Sequence, residues 1–140
     1  MMERHPVDET LVVAPQMQPE ELAALAAEGF TAVICNRPDG EEPGQPPLDA
    51  MRAAAEAAGL AFHHLPVSGG QFPPAAVAAF AAVRRGTPGK VLAYCRTGTR
   101  AVTLDALANV SGLTAAERIA QAKAAGYDLS AFEERMQAGG

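Results

Sequence analysis

Six consecutive residues, Cys95-Arg96-Thr97-Gly98-Thr99-Arg100, hold a thiol, two guanidiniums and two hydroxyls around one glycine. These types at this spacing suit covalent chemistry on an anion. A thiol attacks as its thiolate; a free cysteine titrates near about 8.5, and a helix N-terminus or a nearby arginine lowers that value. Arg100 offers a planar fork of donors that can grip two oxygens of a tetrahedral anion. Gly98 lets the loop close with its backbone N–H groups turned inward. Cys95 is therefore the candidate nucleophile, Arg100 the clamp, and Arg96, Thr97, Gly98 and Thr99 the candidate anion-binding set. The competing expectation is a cysteine buried at a strand end, with Arg96 and Arg100 solvated or paired with Asp105.

A loop of this kind needs a strand before it and a helix after it. Lys90–Tyr94 reads as an apolar strand, and a helical pattern runs from about Arg100 to Val110. Leu11–Ala14, Phe30–Cys35 and a segment within Leu60–Val67 supply three further strands. Pro19, Glu20 and Glu21 suit the first turn of a helix carrying Leu22 and Leu25 and ended by Gly29. Helices are also predicted from Leu48 to Ala58, ended by Gly59, and from about Ala75 to Arg85. Thr114-x-x-Glu117 and Ser130-x-x-Glu133 both fit the capping box and open two short helices separated by Gly126. Strands alternating with helices predict an α/β fold: a three-layer sandwich with a four-stranded, mainly parallel sheet flanked by helices. We expect one domain over residues 1–140, with residues 1–9 loose. In such sheets ligands bind beyond the carboxyl ends of the strands. That edge carries the Cys95 loop, the Asn36–Pro47 loop and the Pro66–Gln71 turn.

Composition narrows the function classes. A chain of 140 residues with 49% hydrophobic and 19% charged content can bury a core and is not expected to be disordered. A net charge of -5 argues against a general nucleic-acid or anionic-membrane binder, while leaving room for a local anion pocket. No apolar run is long enough for a transmembrane helix. The residues at the N-terminus lack an apolar signal core, so a cytoplasmic location is expected. Two cysteines are too few for a disulfide scaffold, which favours a reactive role for the one in a loop.

Other residues are weaker candidates. The Asn36–Pro47 loop holds four prolines and two glycines, which forbid regular structure; a loop this long in a small domain is usually functional. Within it Arg37 is a second positive wall and Asp39 the candidate general acid, with Glu41 and Glu42 as alternates. Cys35 ends the second strand and reads as a small buried hydrophobe, or as a resolving thiol if its strand neighbours the one before Cys95. His63 and His64 are adjacent and face opposite sides of a strand, and His5 is distant in sequence, so no metal site is predicted. No cofactor is implied, and the expected partner is a small anionic substrate, with no nucleic acid and no membrane.

The loop from Cys95 to Arg100 resembles the active-site loop of cysteine-dependent phosphatases, and also the Cys-Arg-x-Gly-x-Arg loop of rhodanese-type sulfurtransferases. The order of elements over residues 8–112 looks like a compact dual-specificity, protein-tyrosine-phosphatase-like domain. More closely, Asn36-Arg37-Pro38-Asp39-Gly40-Glu41-Glu42 together with Tyr94-Cys95-Arg96-Thr97-Gly98-Thr99-Arg100 resembles the beta-lactamase-hydrolase-like protein family, whose stand-alone members are called phosphatase-like and also sulfur transferases. The resemblance implies the strand order first, second, fourth, third, and a hydrolase that passes through a cysteinyl-phosphate on a small phosphomonoester or phosphotyrosine-type substrate. This chain departs from the phosphatase pattern. Only four residues separate Cys95 from Arg100, Tyr94 replaces the usual His, Ala101 the usual Ser or Thr, and Ser68–Gln71 lies where an acid Asp is expected. A general acid contributes about 10²–10⁴-fold to alcohol departure, whereas sulfur transfer through a persulfide on Cys95 needs none. A non-catalytic anion-binding module is the third expectation.

Overall fold

A computed structural model describes residues 3–68 and 70–139. Gly69, in the turn predicted over Ser68–Gln71, lies outside the described residues. Five strands form one sheet: β1 (His5–Pro6), β2 (Leu11–Ala14), β3 (Phe30–Cys35), β4 (Ala61–His64) and β5 (Lys90–Tyr94). The central strands are apolar on both faces because both faces are covered. Alternate residues divide between two cores, as the pleat requires. Leu11, Val13, Ala32, Ile34, Val91 and Ala93 pack under α3 (Pro74–Gly86) and α4 (Thr99–Ala108). Val12, Ala14, Val33, Cys35, Leu92 and Tyr94 face the other way, against α1 (Leu22–Ala27) and α2 (Leu48–Ala57). Two short helices, α5 (Ala115–Ala124) and α6 (Glu133–Ala138), extend the first layer. The result is the expected three-layer α/β sandwich with a mainly parallel sheet.

The strand order is β1-β2-β5-β3-β4, with β1 antiparallel and the other pairs parallel. This corrects the order expected from resemblance. The strand leading to Cys95 lies between the first and second predicted strands instead of between the second and third. It remains central, which suits its burial: Val91, Leu92, Ala93 and Tyr94 are all buried, whereas edge strand β4 keeps His63 and His64 half-buried. The fifth strand is a second correction. His5 and Pro6, placed in a segment expected to be loose, pair with Val13 and Val12. Proline has no N–H to give to a ladder, and this edge position tolerates it.

Helix α4 is buried continuously from Ala101 to Ala106. Its polar residues are satisfied locally. The Thr103 hydroxyl donates to Thr99 O at 2.7 Å, and Asp105 accepts from Arg84 Nη1 at 2.6 Å. Asp105 is thus held by Arg84, not by the arginines of the Cys95 loop. Arg118 of α5 is buried and donates to the carbonyls of Thr114, Ala106 and Met136, tying α4, α5 and α6 together. The Thr114–Glu117 capping box forms: Thr114 N–H donates to Glu117 at 2.9 Å, and Glu117 N–H to the threonine hydroxyl at 3.1 Å. The predicted box at Ser130–Glu133 does not form. Ser130–Phe132 is a 3₁₀ turn, and the Ser130 N–H is taken by the Asp128 carboxylate at 2.9 Å.

Candidate active site

Strand β5 ends at Tyr94, and the chain crosses the carboxyl edge of the sheet before α4 begins at Thr99. Cys95 sits in this crossing with no exposed surface, its N–H held by Ala14 O at 3.3 Å. Gly98 takes φ +94°, a left-handed conformation that turns its N–H back onto the sulfur, and the N–H to Sγ distance is 3.1 Å. A side chain would be strained at that φ. A Cβ at Gly98 would also lie 2.1 Å from the Tyr127 hydroxyl. Glycine is therefore required twice over, by backbone conformation and by space. Ala101 follows in the first turn of α4 and is fully buried, with no hydroxyl to offer the thiol.

Arg100 reaches from the same turn to two acceptors. Its Nη1 donates to Glu41 Oε2 at 2.8 Å and to Val67 O at 2.9 Å, and its Nη2 donates to Glu41 Oε1 at 2.8 Å. This two-pronged contact is the geometry an oxyanion would take up on the same fork. Glu41 Oε1 also accepts from Arg37 Nε at 2.8 Å. The two guanidiniums, Arg100 foremost, hold the Glu41 carboxyl down at about 2, so it is ionised across the ordinary pH range. The same carboxylate, with Cys95 beside it, raises Arg100.

Arg37 is only 2% exposed, and its surroundings fix it closely. Its carbonyl accepts from His64 Nε2 at 3.0 Å and from the Cys35 thiol at 3.4 Å, and its Nη1 donates to Gln16 Oε1 at 3.1 Å. Its Nη2 pairs with Glu42 Oε1 at 2.8 Å. Glu42 turns its other oxygen to Arg96 Nη2 at 3.6 Å. Arg100, Glu41, Arg37, Glu42 and Arg96 thus form an alternating run of charges beside Cys95. The run carries one net positive charge in a chain of net charge -5.

Of the predicted site residues, Cys95, Arg96, Thr97, Gly98, Thr99, Arg100 and Arg37 converge on this edge. Thr97 and Thr99 face each other, with hydroxyls 3.0 Å apart. Asp39 is placed elsewhere: its exposed carboxylate accepts from the Leu48 N–H at 3.0 Å, at the start of α2. Acidic groups are favoured at a helix N-terminus, which carries partial positive charge. The carboxyl that faces the clamp is Glu41. Cys35 is buried, and burial pushes its thiol up. It pairs in register with Tyr94, the residue before Cys95, because β3 and β5 are neighbours. Among the described residues no group of three or more His, Cys, Asp or Glu is placed to hold a metal ion.

Tyr127 is the site neighbour that sequence patterns did not reveal. It follows Gly126 in the turn between α5 and α6, and its hydroxyl donates to Thr97 O at 3.0 Å. Its ring meets His5 edge-on, with centroids 5.3 Å apart. The N-terminal strand and the C-terminal helices therefore both brace the loop. Gln16 is the second such residue; its backbone N–H donates to Arg96 O at 3.2 Å while its side chain holds Arg37.

Residues 4–113 match the family model described as beta-lactamase hydrolase-like protein, phosphatase-like domain. A beta-lactamase hydrolase-like protein of Xylella fastidiosa is 42% identical over 104 residues, which cover 74% of this chain and 24% of that protein. The chain thus spans about a quarter of the length of the curated relatives it matches. A candidate phosphatase of solved structure from Neisseria meningitidis is 36% identical, covers 97% of each chain and superposes with a TM-score of 0.84. PTPMT1, solved in complex with PI(5)P, is only 15% identical yet superposes with a TM-score of 0.78 over 97% of this chain and 93% of that one, and so shares the fold. No helix among the described residues is long and apolar enough to cross a membrane. With the family match over most of its length and the cysteine loop at the centre of the sheet, this chain belongs to the phosphatase-like domain family of the beta-lactamase hydrolase-like proteins.

Proposed function

We propose that the chain is a cysteine-dependent phosphatase-like hydrolase acting on a small phosphomonoester. One observation carries this reading: Arg100 grips a carboxylate with both prongs of its fork beside the Cys95 sulfur. An oxyanion that displaces Glu41 would take over those two contacts and present its phosphorus to the thiolate. The Sγ–P bond then forms as the P–O bond to the leaving group breaks, its electron pair staying on that oxygen. Water attacks the cysteinyl-phosphate in a second step, releasing orthophosphate and restoring the thiolate. Arg100 and the Gly98 N–H stabilise the charge that builds up in both steps. Thr97, Thr99 and Arg96 frame the entrance, and Arg37 adds positive charge behind Glu41. No cofactor enters this scheme.

Asp39, the acid expected from sequence, has its carboxylate engaged at α2, and Glu41 is ionised on the clamp. Substrates whose leaving oxygens are already acidic, such as aryl phosphates, therefore suit the site best, because they depart without protonation. The test is hydrolysis of an aryl phosphate by the wild-type protein and by Cys95→Ser. Release of phosphate by the wild type and its loss in the variant support the proposal; release that survives in Cys95→Ser excludes it.

Sulfur transfer is the second reading, favoured by the four-residue spacing between Cys95 and Arg100 and by the engagement of the Asp39 carboxylate at the start of α2. In that chemistry the Cys95 thiolate attacks the outer sulfur of thiosulfate, the S–S bond breaks, and sulfite leaves with the electron pair. A thiol acceptor then takes the sulfur from Cys95. Intact-mass measurement after exposure to thiosulfate distinguishes it by the gain of one sulfur on Cys95.

A further inference from the structure

The carboxylates of Glu41 and Glu42 occupy two adjacent positions in the run of arginines. Glu41 sits between Arg100 and Arg37, and Glu42 between Arg37 and Arg96. The second position is built differently from an ordinary surface ion pair. Arg37 is 2% exposed and immobilised by Gln16, Glu41 and its own carbonyl contacts, and its Nη2 pairs with the Glu42 carboxylate at 2.8 Å. A cleft of about 400 Å³ opens at this point, lined by Gln16, Arg37, Glu42, Gln45, Arg96 and Thr97. Arg96 stands at its mouth, 63% exposed and held by Glu42 only at 3.6 Å. A buried, immobilised guanidinium ion-paired with a partly exposed carboxylate, at an open cleft next to the anion clamp, is a site where an incoming anionic group can take that carboxylate's place.

We propose that the cleft between Arg37 and Arg96 is a second anion subsite, and that the substrate class is a small molecule carrying two neighbouring anionic groups. One group lies on Arg100 next to Cys95, and the other displaces Glu42 into the Arg37–Arg96 cleft. Glu41 and Glu42 are adjacent in sequence and span the two positions in the free protein, so the acidic loop occupies both until a ligand with two charges replaces it. The inference rests on the phosphatase reading for the chemistry at Cys95, but not for binding.

The test uses calorimetric titration of the Cys95→Ser protein at constant ionic strength, with orthophosphate and inorganic diphosphate as probes. Diphosphate should bind about tenfold or more tightly than orthophosphate, since its second anionic group also meets the Arg37 and Arg96 guanidiniums. Arg96→Ala should lower diphosphate affinity about fivefold and orthophosphate affinity less than about twofold, as an exposed charge pair allows. Glu42→Gln should raise diphosphate affinity about two- to fivefold by removing a competing exposed charge. Arg85→Ala, the same charge change on the exposed end of α3, should alter neither. Equal binding of the two probes overturns the proposal. So does an equal loss of both in Arg96→Ala, or an Arg85→Ala effect as large as that of Arg96→Ala; the charge run is then a structural network only. Wild-type hydrolysis of an aryl phosphate is measured alongside. Hydrolysis without diphosphate preference sinks the subsite alone, and diphosphate preference without hydrolysis sinks the phosphatase reading alone.

Discussion

Replacing Glu41 by glutamine should weaken the fold and strengthen anion binding at once. The carboxylate sits on the Arg100 fork and on Arg37 Nε, all at 2.8 Å. Its shift from an ordinary 4.5 to about 2 would correspond in full to about 3 kcal/mol. The side chain is 28% exposed, and solvent screening reduces that to about 1–2 kcal/mol. An incoming oxyanion must break the same contact, so removing the charge should raise phosphate affinity by about 5- to 30-fold. Urea unfolding at pH 7 reads the first effect, and titration with orthophosphate the second. The signs are opposite, which separates competition from simple damage. A Glu41→Gln protein that binds phosphate no better, or less well, would make Glu41 a partner of the bound anion instead of its competitor.

The pH dependence of stability carries the same logic. The folded-state value for Glu41 is depressed, so its contribution is present above about 4.5 and is lost as the pH falls toward about 2; Glu41→Gln should flatten the unfolding midpoint across that window, and an unchanged slope would exclude the ion pair as its source. Gly98→Ala should cost about 2 kcal/mol or more, from the left-handed φ and the clash with Tyr127. Pairing it with Tyr127→Ala should recover part of that loss, and strict additivity in the double-mutant cycle would show that the two do not touch. Tyr127→Phe alone should cost about 1 kcal/mol by leaving the Thr97 carbonyl without its donor, read by thermal unfolding. Asp39→Asn should reduce stability slightly through α2 and leave the acid side of the hydrolysis pH profile unchanged; a flattened acid limb would return Asp39 to the role of general acid.

The parts legible in the sequence are those written in local pattern. The apolar run Lys90–Tyr94, the glycine after Thr97 and the helical spacing beyond Arg100 predicted the strand, loop and helix that hold Cys95, and β5 spans the predicted residues. Strand order was not legible, because every parallel crossover has a similar local sequence and the neighbour of each strand is chosen by burial on both faces. The partner of the clamp was equally hidden. Asp39, Glu41 and Glu42 share one proline- and glycine-rich loop, and only the fold decides that Asp39 meets the first N–H of α2 while Glu41 meets Arg100. Tyr127 lies 30 residues beyond the carbonyl it holds, in a turn whose pattern carries no sign of the site. At Ser130 the capping pattern was present, but the nearer Asp128 carboxylate took the backbone N–H first.

In the proposed reaction Cys95 carries the transferred group. Rapid-quench intact-mass spectrometry of the wild-type protein turning over an aryl phosphate tests it most directly. A transient adduct of one phosphoryl group on Cys95, absent in Cys95→Ser, is expected. Phosphate release with no adduct on Cys95 at any time, or an adduct on another residue, would contradict it.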